Sequence, residues 1–214
     1  MITRSTAEQA RKPRGHGHER RAEIIEAAKT LFFDEGVESV TTRRLAERVG
    51  VSQTGLYVYF PNKEAILDAI RRETFIALTE VISGVAKDAP ANIDLLRAIG
   101  RTYIGFAFTH PKEFQLTFKA GSTRKHSTAE LDLSRPYAEQ SPGIQCFLTF
   151  RRQIERLLEA GVLRPADPTV IAQTTWMVFQ GVCLMLIDWP NFPWAEREAL
   201  IEQSLEMVVK GLAA

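Results

Sequence analysis

The chain has 214 residues and a formal net charge of +1, and 45% of its residues are hydrophobic while 25% are charged. That balance is typical of a soluble globular protein, and it excludes an intrinsically disordered chain and a binder that relies on bulk charge. Two cysteines are too few for a disulfide scaffold or a zinc finger, so we expect neither, and we predict no cofactor and no metal.

The first residues are basic. Residues 1–22 hold six Lys or Arg against two Glu, a local charge of +4 that leaves −3 for the remainder. Residues 1–18 lack apolar periodicity, so we expect a flexible basic arm that either adds phosphate contacts to DNA or is a solvated tail. Its histidines, His16 and His18, are not expected to bind a metal. Since no apolar run follows the basic residues, we expect no secretory signal and a cytoplasmic protein.

A helix is predicted over residues 19–35, followed by two short helices with a tight turn between them in residues 41–63. Thr41 and Ser52 can cap the two short helices, and Gly50 lies where the chain must bend sharply. Apolar residues at helical spacing continue along one face until a proline ends the second helix. This layout is that of a helix-turn-helix, whose second helix enters the major groove of DNA.

The side chains that lie off this apolar face are suited to DNA. Short or polar groups at the start of the second helix can approach base edges, while hydroxyl and basic side chains can contact phosphates. The predicted DNA-binding residues are Thr41, Thr42, Arg43, Ser52, Gln53, Thr54, Gly55, Tyr57, Tyr59 and Lys63. The alternative is a small helical hairpin with ordinary surface residues.

This segment resembles the DNA-binding motif of TetR-family transcriptional repressors. The matching residues are Thr41, Arg43, Leu45, Ala46, Gly50, Val51, Ser52, Gly55, Leu56, Tyr57, Phe60, Lys63 and Glu64. Upstream, the resemblance extends through Ile24, Ala28, Leu31, Phe32 and Gly36. Tyr59 departs from the family, which often carries a His or another aromatic residue there. The resemblance implies an all-α fold with a helix-turn-helix domain at residues 19–65 and a helical ligand-binding and dimerisation domain at residues 66–214.

The rest of the chain is predicted to be helices separated by polar breaks, about nine helices in all. The expected helices are residues 63–87, 93–118 with a break at His110-Pro111, 144–161, 168–188 and 193–212. Residues 120–143 are polar and rich in Pro and Gly, so we expect a loop with at most one short helical turn. The helix at 63–87 leaves the DNA-binding part and enters the second domain, so we expect a shift of this helix in the second domain to move the DNA-binding part.

Part of the second domain resembles a TetR-family regulatory domain named for a Trp-x-x-x-His-Gly signature. Tyr103–Phe118 carries the likeness, and Trp176 and Gln180 occupy the signature positions, with Gln180 in place of the His. We predict a pocket for a small, largely apolar effector. The predicted lining residues are Tyr103, Phe106, Phe114, Phe118, Phe150, Trp176, Phe179 and Gln180. Ordinary core packing is the alternative for each of them.

The helix expected at 168–188 is apolar nearly all round. One face is predicted at Ile171, Val178, Val182 and Met185, and another at Trp176, Phe179, Cys183 and Leu186. The helix approaches transmembrane length, but the Gln and Thr residues within it favour a buried helix of a soluble protein, so no membrane is predicted. A helix of this kind must be covered on two sides. One cover would be the domain interior, and the resemblance makes this helix and the helix at 193–212 a homodimer interface, with Val208 expected within it.

The combined features predict a ligand-responsive transcriptional repressor. It would bind a palindromic operator in double-stranded DNA as a homodimer and be released by its effector. One alternative is an all-α enzyme, but the sequence lacks a nucleophile elbow, paired catalytic carboxylates and a phosphate loop, so we predict no catalytic residues. Another is a redox sensor using Cys146 and Cys183, against which stands the interpretation of two buried, inert thiols.

Overall fold

A computed structural model describes residues 17–119 and 133–214. These residues are all-helical, which confirms the predicted fold class. The helices are α1 (Gly17–Glu35), α2 (Thr42–Val49), α3 (Gln53–Tyr59), α4 (Lys63–Ala86), α5 (Ile93–Thr109), α6 (Pro111–Phe118), α7 (Pro142–Glu159), α8 (Pro168–Asp188) and α9 (Arg197–Leu212). A short 3-10 turn covers Tyr137–Glu139. The chain divides into two compact units inside α4, one ending at Ile70 and the other beginning at Arg71.

Local capping shapes the first unit. The Thr41 hydroxyl accepts from the backbone N–H of Arg44 at 3.2 Å, and the Ser52 hydroxyl accepts from that of Gly55 at 3.0 Å. Gly50 has φ 72°, a left-handed conformation that glycine adopts without a Cβ clash. These observations confirm the predicted caps and turn. The unit's largest fully buried side chains are Ile24, Ile25, Phe32, Leu45, Leu56, Ile66 and Ile70.

Several helix ends differ from the predicted bounds. Helix α1 begins at Gly17, so the last two residues of the expected arm are helical, while residues 1–16 of that arm lie outside the described residues. Helix α7 begins at Pro142 because Ser141 caps it. Helix α9 begins at Arg197 because the Glu196 carboxylate accepts from the first free backbone N–H groups.

The break predicted at His110-Pro111 is confirmed, since α5 ends at Thr109 and α6 begins at Pro111. Of the loop predicted for residues 120–143, residues 120–132 lie outside the described residues. The described remainder contains the Tyr137–Glu139 turn, which matches the single short helical turn expected there.

Helix α5 lies at the centre of the second unit, where it packs against α6, α7, α8 and α9. Gly100 allows this helix to approach two neighbours closely. A Cβ added at Gly100 would lie 2.5 Å from Cζ of Phe179 on α8 and 2.6 Å from Cδ2 of Leu205 on α9. Beside this contact, Arg97 on α5 donates to the Glu206 carboxylate on α9 at 2.9 Å. The absence of a side chain at residue 100 therefore sets the spacing of three helices.

Helix α8 has an inner and an outer apolar face. The inner face consists of Ile171, Ala172, Thr175, Phe179 and Cys183. The exposed apolar residues are Val170, Trp176, Met177, Val178 and Met185. Ile171, Val178 and Met185, which were predicted to share a face, are seven residues apart and fall within about 40° of each other around the helix. Ile171 is buried whereas Val178 and Met185 are exposed, so this strip runs along the border between the inner and outer faces.

Two further observations concern the surfaces of α8 and α9. Helix α8 is long and apolar enough to cross a membrane by length and composition alone, and 28% of its most apolar window is buried within the chain. Val208 on α9 is only 8% exposed and packs in the core of its own chain, while its neighbour Met207 is 66% exposed. The expectation that Val208 reports on a dimer surface was therefore wrong, and Met207 is the outward residue.

The close approach at Gly100 can be tested by adding one methyl group. We expect Gly100→Ala to lower the free energy of unfolding by about 1–3 kcal/mol, because overpacking outweighs the better helix propensity of Ala. Gly105→Ala on the same helix is the matched control, since a Cβ there meets nothing within 4 Å. That control should be more stable than wild type by about 0.5–1 kcal/mol. Urea denaturation measures both, and equal stability of the two variants would contradict the packing described.

Candidate functional site

Helix α3 presents a polar, exposed surface at its N-terminus. Gln53 and Thr54 are exposed in its first turn, whereas Leu56 faces inward and is fully buried. Val58 is 77% exposed on the same helix. Val58 is not among the predicted DNA-binding residues because it is apolar, yet an exposed methyl group on such a helix can contact the methyl of thymine. In the sequence, the signal for Val58 is that it does not fall on the apolar face of α3 that contains Leu56.

A chain of hydrogen bonds links the two helices of the motif. Gln53 Nε2 donates to Thr42 Oγ1 at 3.1 Å, and Thr42 Oγ1 lies 3.3 Å from the Tyr57 hydroxyl. The hydrogen bond with Thr42, followed by that with Gln53, lowers the pKa of Tyr57 from its usual value. Because Thr42 Oγ1 accepts from Gln53, its own hydrogen can be donated to the phenol oxygen, and in that arrangement the Tyr57 O–H can donate outward. Three predicted DNA-binding residues are thus brought together.

The other predicted DNA-binding residues have mixed surroundings. The hydroxyls of Thr41 and Ser52 are occupied as helix caps. The Arg43 side chain is 80% exposed, and its Nε donates to Glu47 at 3.0 Å. A Cβ added at Gly55 would lie 3.1 Å from Ser52 Oγ, so a substitution at Gly55 would press on the cap of α3. Tyr59, at the C-terminal end of α3, is only partly exposed.

Lys63 has a structural contact that the sequence did not reveal. Its Nζ donates to the backbone carbonyl of Val37 at 2.5 Å and to that of Glu38 at 3.3 Å. The ammonium group therefore ties the start of α4 to the loop between α1 and α2. Since an ammonium has three donors, one remains for a phosphate. A substitution of Lys63 would disturb both roles together.

The second unit gathers polar groups around Tyr103. Its side chain is buried, and its hydroxyl accepts from Trp176 Nε1 at 3.0 Å and donates to Gln180 Oε1. Burial raises the pKa of Tyr103 well above its ordinary value, so it is a neutral phenol. The side chain of Gln180, at the signature position, thus bonds directly to a second predicted pocket residue.

Aromatic rings surround this polar group. The Tyr103 ring centroid lies 5.8 Å from that of Phe114 and 6.4 Å from that of Phe179. Phe118 lies 4.7 Å from Phe114 and 6.3 Å from Trp176. Six of the eight predicted pocket residues, the five aromatic rings named here and Gln180, therefore meet in one cluster, which we call the Tyr103 cluster.

Two predicted pocket residues lie elsewhere in the core, and two others were missed. Phe106 stacks on His110 with centroids 4.6 Å apart, and Phe150 is buried in the general core of the unit. Phe75 on α4 lies 5.5 Å from Phe118, and Phe147 on α7 lies 6.4 Å from Trp176. Both missed residues are apolar residues at helical spacing, and only the packing of distant helices shows that they join the cluster.

Potential metal ligands and thiols form no further site in the described part of the chain. Among residues 17–119 and 133–214, no group of three or more His, Cys, Asp or Glu side chains is placed to hold a metal ion. Both cysteines are buried free thiols. Burial raises the pKa of Cys146 to about 11 and that of Cys183 to about 12, which keeps both protonated at neutral pH. A protonated, buried thiol reacts slowly with oxidants.

Two family models match the chain. One, described as bacterial regulatory proteins of the tetR family, matches residues 24–70. The other, described as a tetracyclin repressor-like C-terminal domain, matches residues 96–212. The first match contains α2 and α3, and the second contains the Tyr103 cluster except for Phe75 on α4.

Individual relatives agree with these matches. The tetracycline repressor protein class C of Escherichia coli is 54% identical over 50 residues, 23% of each chain. The chain spans no more than half the length of the first curated relatives that it matches. A protein from Rhodococcus sp. RHA1 has a TM-score of 0.75 at 22% identity, over 95% of this chain and all of that one. AibR, in complex with isovaleryl coenzyme A and operator DNA, has a TM-score of 0.66 at 23% identity, over 88% of this chain and 97% of that one.

Alkylation of the native protein tests the environment of the two thiols. We expect iodoacetamide at pH 8 to leave Cys146 and Cys183 unmodified in the folded protein, because their raised pKa values and burial suppress the reactive thiolate. In guanidinium chloride, both should be alkylated. Mass spectrometry counts the adducts, and rapid modification of either native cysteine would restore the redox-sensor alternative.

Proposed function

The chain belongs to the TetR family of bacterial regulatory proteins, as its resemblance at Thr41–Lys63 predicted. From that premise we propose that it is a ligand-responsive transcriptional repressor, not an enzyme, that binds a palindromic operator as a homodimer in the cytoplasm. The observation that carries the proposal is the exposed start of α3, where Gln53 is hydrogen-bonded into a chain with Thr42 and Tyr57.

In this proposal, α3 enters the major groove and its first turn reads the bases. Gln53 and Thr54 have the amide and hydroxyl groups that pair with base edges. Tyr57 positions the helix, because its outward O–H is free to donate to a phosphate. Arg43 on α2 releases Glu47 and forms an ion pair with a phosphate instead. The backbone contacts orient the motif and the base contacts give it sequence preference.

The outer face of α8 supports a dimer. Met177 is 64% exposed and Met185 is 45% exposed on α8, and Met207 on α9 is 66% exposed. Large exposed apolar surfaces on a protein chain mark interaction sites. A second copy of the chain, related by a two-fold axis, would cover this surface. The two helix-turn-helix motifs of such a dimer match a palindromic DNA site. Coverage by a second copy also accounts for the length and apolar character of α8 without a membrane.

The Tyr103 cluster is the proposed effector site. Its rings suit an apolar or aromatic molecule, and the Tyr103 hydroxyl, the Trp176 N–H and the Gln180 amide supply a few polar anchors. The AibR complex, which holds both a small molecule and operator DNA, supports ligand control in a protein of the same fold. The effector would release DNA only if it favours one conformation over another. Native mass spectrometry of the purified protein measures whether a small molecule is retained.

Base reading and positioning can be separated by mutation. We expect Gln53→Ala and Thr54→Ala to reduce the preference for a duplex selected by the wild-type protein over a scrambled one. A lost bidentate base contact would reduce that preference by about 1–3 kcal/mol. Tyr57→Phe should instead weaken binding to both duplexes equally, because phosphates are common to both. Fluorescence anisotropy measures the affinities.

The selection experiment is itself the test of the proposed function. Wild-type protein should enrich a two-fold symmetric sequence from a random duplex pool. Failure to enrich any sequence, or an unchanged preference in both Gln53→Ala and Thr54→Ala, would show that α3 does not read bases in the major groove. Either result would overturn the proposal.

The dimer surface can be probed with an exposed methionine. We expect Met177→Glu to convert a wild-type dimer to monomers, since an unpaired charge buried at an interface costs several kcal/mol. Ile76→Glu is the matched control, because Ile76 is also an exposed apolar residue, at 43%, but lies on α4. Analytical ultracentrifugation gives the masses. A monomeric wild type, or a Met177→Glu dimer as tight as the Ile76→Glu dimer, would show that this surface is not the interface.

A further inference from the structure

A cleft that is chemically different from the Tyr103 cluster lies in the second unit, between the end of α4 and one face of α7. Its volume is about 480 Å³. Three cationic side chains line it, namely Lys87, Arg152 and Arg156. None of the described residues that line the cleft is acidic. This composition differs from that of the aromatic Tyr103 cluster and is not explained by an apolar effector.

Arg156 is fixed in place without losing its charge. Its guanidinium donates to the backbone carbonyls of Ala86 at 3.1 Å and Ala89 at 3.0 Å, and to Gln153 Oε1 at 2.6 Å. All three acceptors are uncharged groups, so the positive charge is held at the cleft and is not neutralised by a carboxylate. Tyr137 also lines the cleft, and its hydroxyl lies 3.0 Å from that of Thr149.

The remaining two cations are available. Lys87 and Arg152 are exposed, and neither has a hydrogen-bond or ion-pair partner within residues 17–119 and 133–214. Arg152 and Arg156 are four residues apart on α7, so two like charges face the same side of the helix and repel each other. An anion between them would replace this repulsion with charge-assisted hydrogen bonds.

We propose that this cleft binds a small oxyanion with at least two negative charges, such as a phosphorylated compound or a polycarboxylate. Arg152, Arg156 and Lys87 carry three positive charges, which the single negative charge of one carboxylate would not balance. The planar guanidinium group matches the oxygen geometry of phosphate and of carboxylate alike. Arg156 is held in place before a ligand binds. The exposed side chains of Arg152 and Lys87 add their charges to the same site. This site is separate from the proposed effector site, and its existence does not depend on DNA binding.

Calorimetric titration of the full chain tests the site with two defined probes, pyrophosphate and citrate, at constant ionic strength. We expect wild-type protein to bind at least one of them with a dissociation constant below about 1 mM, the range of a few charged hydrogen bonds. Arg152→Gln should weaken that binding about tenfold, and Lys87→Gln should weaken it as well. Since both side chains are exposed, circular dichroism should show unchanged folding.

Arg72→Gln is the matched control. Arg72 is an exposed arginine on α4, but it lies eleven residues before Ser83, the first α4 residue of the cleft lining, or about 16 Å along the helix axis. Its substitution should leave the affinity unchanged. A response to pyrophosphate alone assigns phosphate chemistry, and a response to citrate alone assigns carboxylate chemistry. Binding of neither probe, or equal losses in Arg152→Gln and Arg72→Gln, would overturn the proposal, whatever the outcome of the DNA experiments.

Discussion

The close approach of α5 to α8 and α9 at Gly100 is the constraint on which the second unit depends. It brings the Phe179 ring within van der Waals reach of the α5 backbone. One turn further along α5, the Tyr103 hydroxyl meets Trp176 and Gln180 from α8. Those hydrogen bonds form only while the two helices stay at this spacing. The contact that fills the core therefore also sets the geometry of the candidate effector site.

The helix-turn-helix was predictable because its signals are local. Each cap joins a side chain to a backbone N–H three residues away, as in Thr41 with Arg44 and Ser52 with Gly55. Gly50 is likewise needed for a conformation of its own backbone. Rules that act over three or four residues can be applied to a sequence without knowledge of the fold, and they placed α2 and α3 correctly.

The features that escaped prediction depend on contacts between distant segments. Lys63 was predicted to contact a phosphate, and its additional bond to the Val37 carbonyl, 26 residues earlier, was not foreseen. Phe75 joins the Tyr103 cluster through Phe118 on another helix. For Val208, the sequence showed an apolar face on α9 but not which surface covers it. Periodicity identifies the buried side of a helix, whereas only packing identifies its neighbour.

Helix α4 connects these elements along one continuous backbone. It starts at Lys63 in the first unit, carries Phe75 against the Tyr103 cluster, and ends at Ala86, whose carbonyl holds Arg156 at the cationic cleft. An apolar effector and a multivalent anion would thus act on different turns of the same helix. Each could alter DNA binding only through a different affinity for alternative conformations of that helix. If both ligands favour particular conformations of α4, linkage requires that each change the affinity of the other by the same factor.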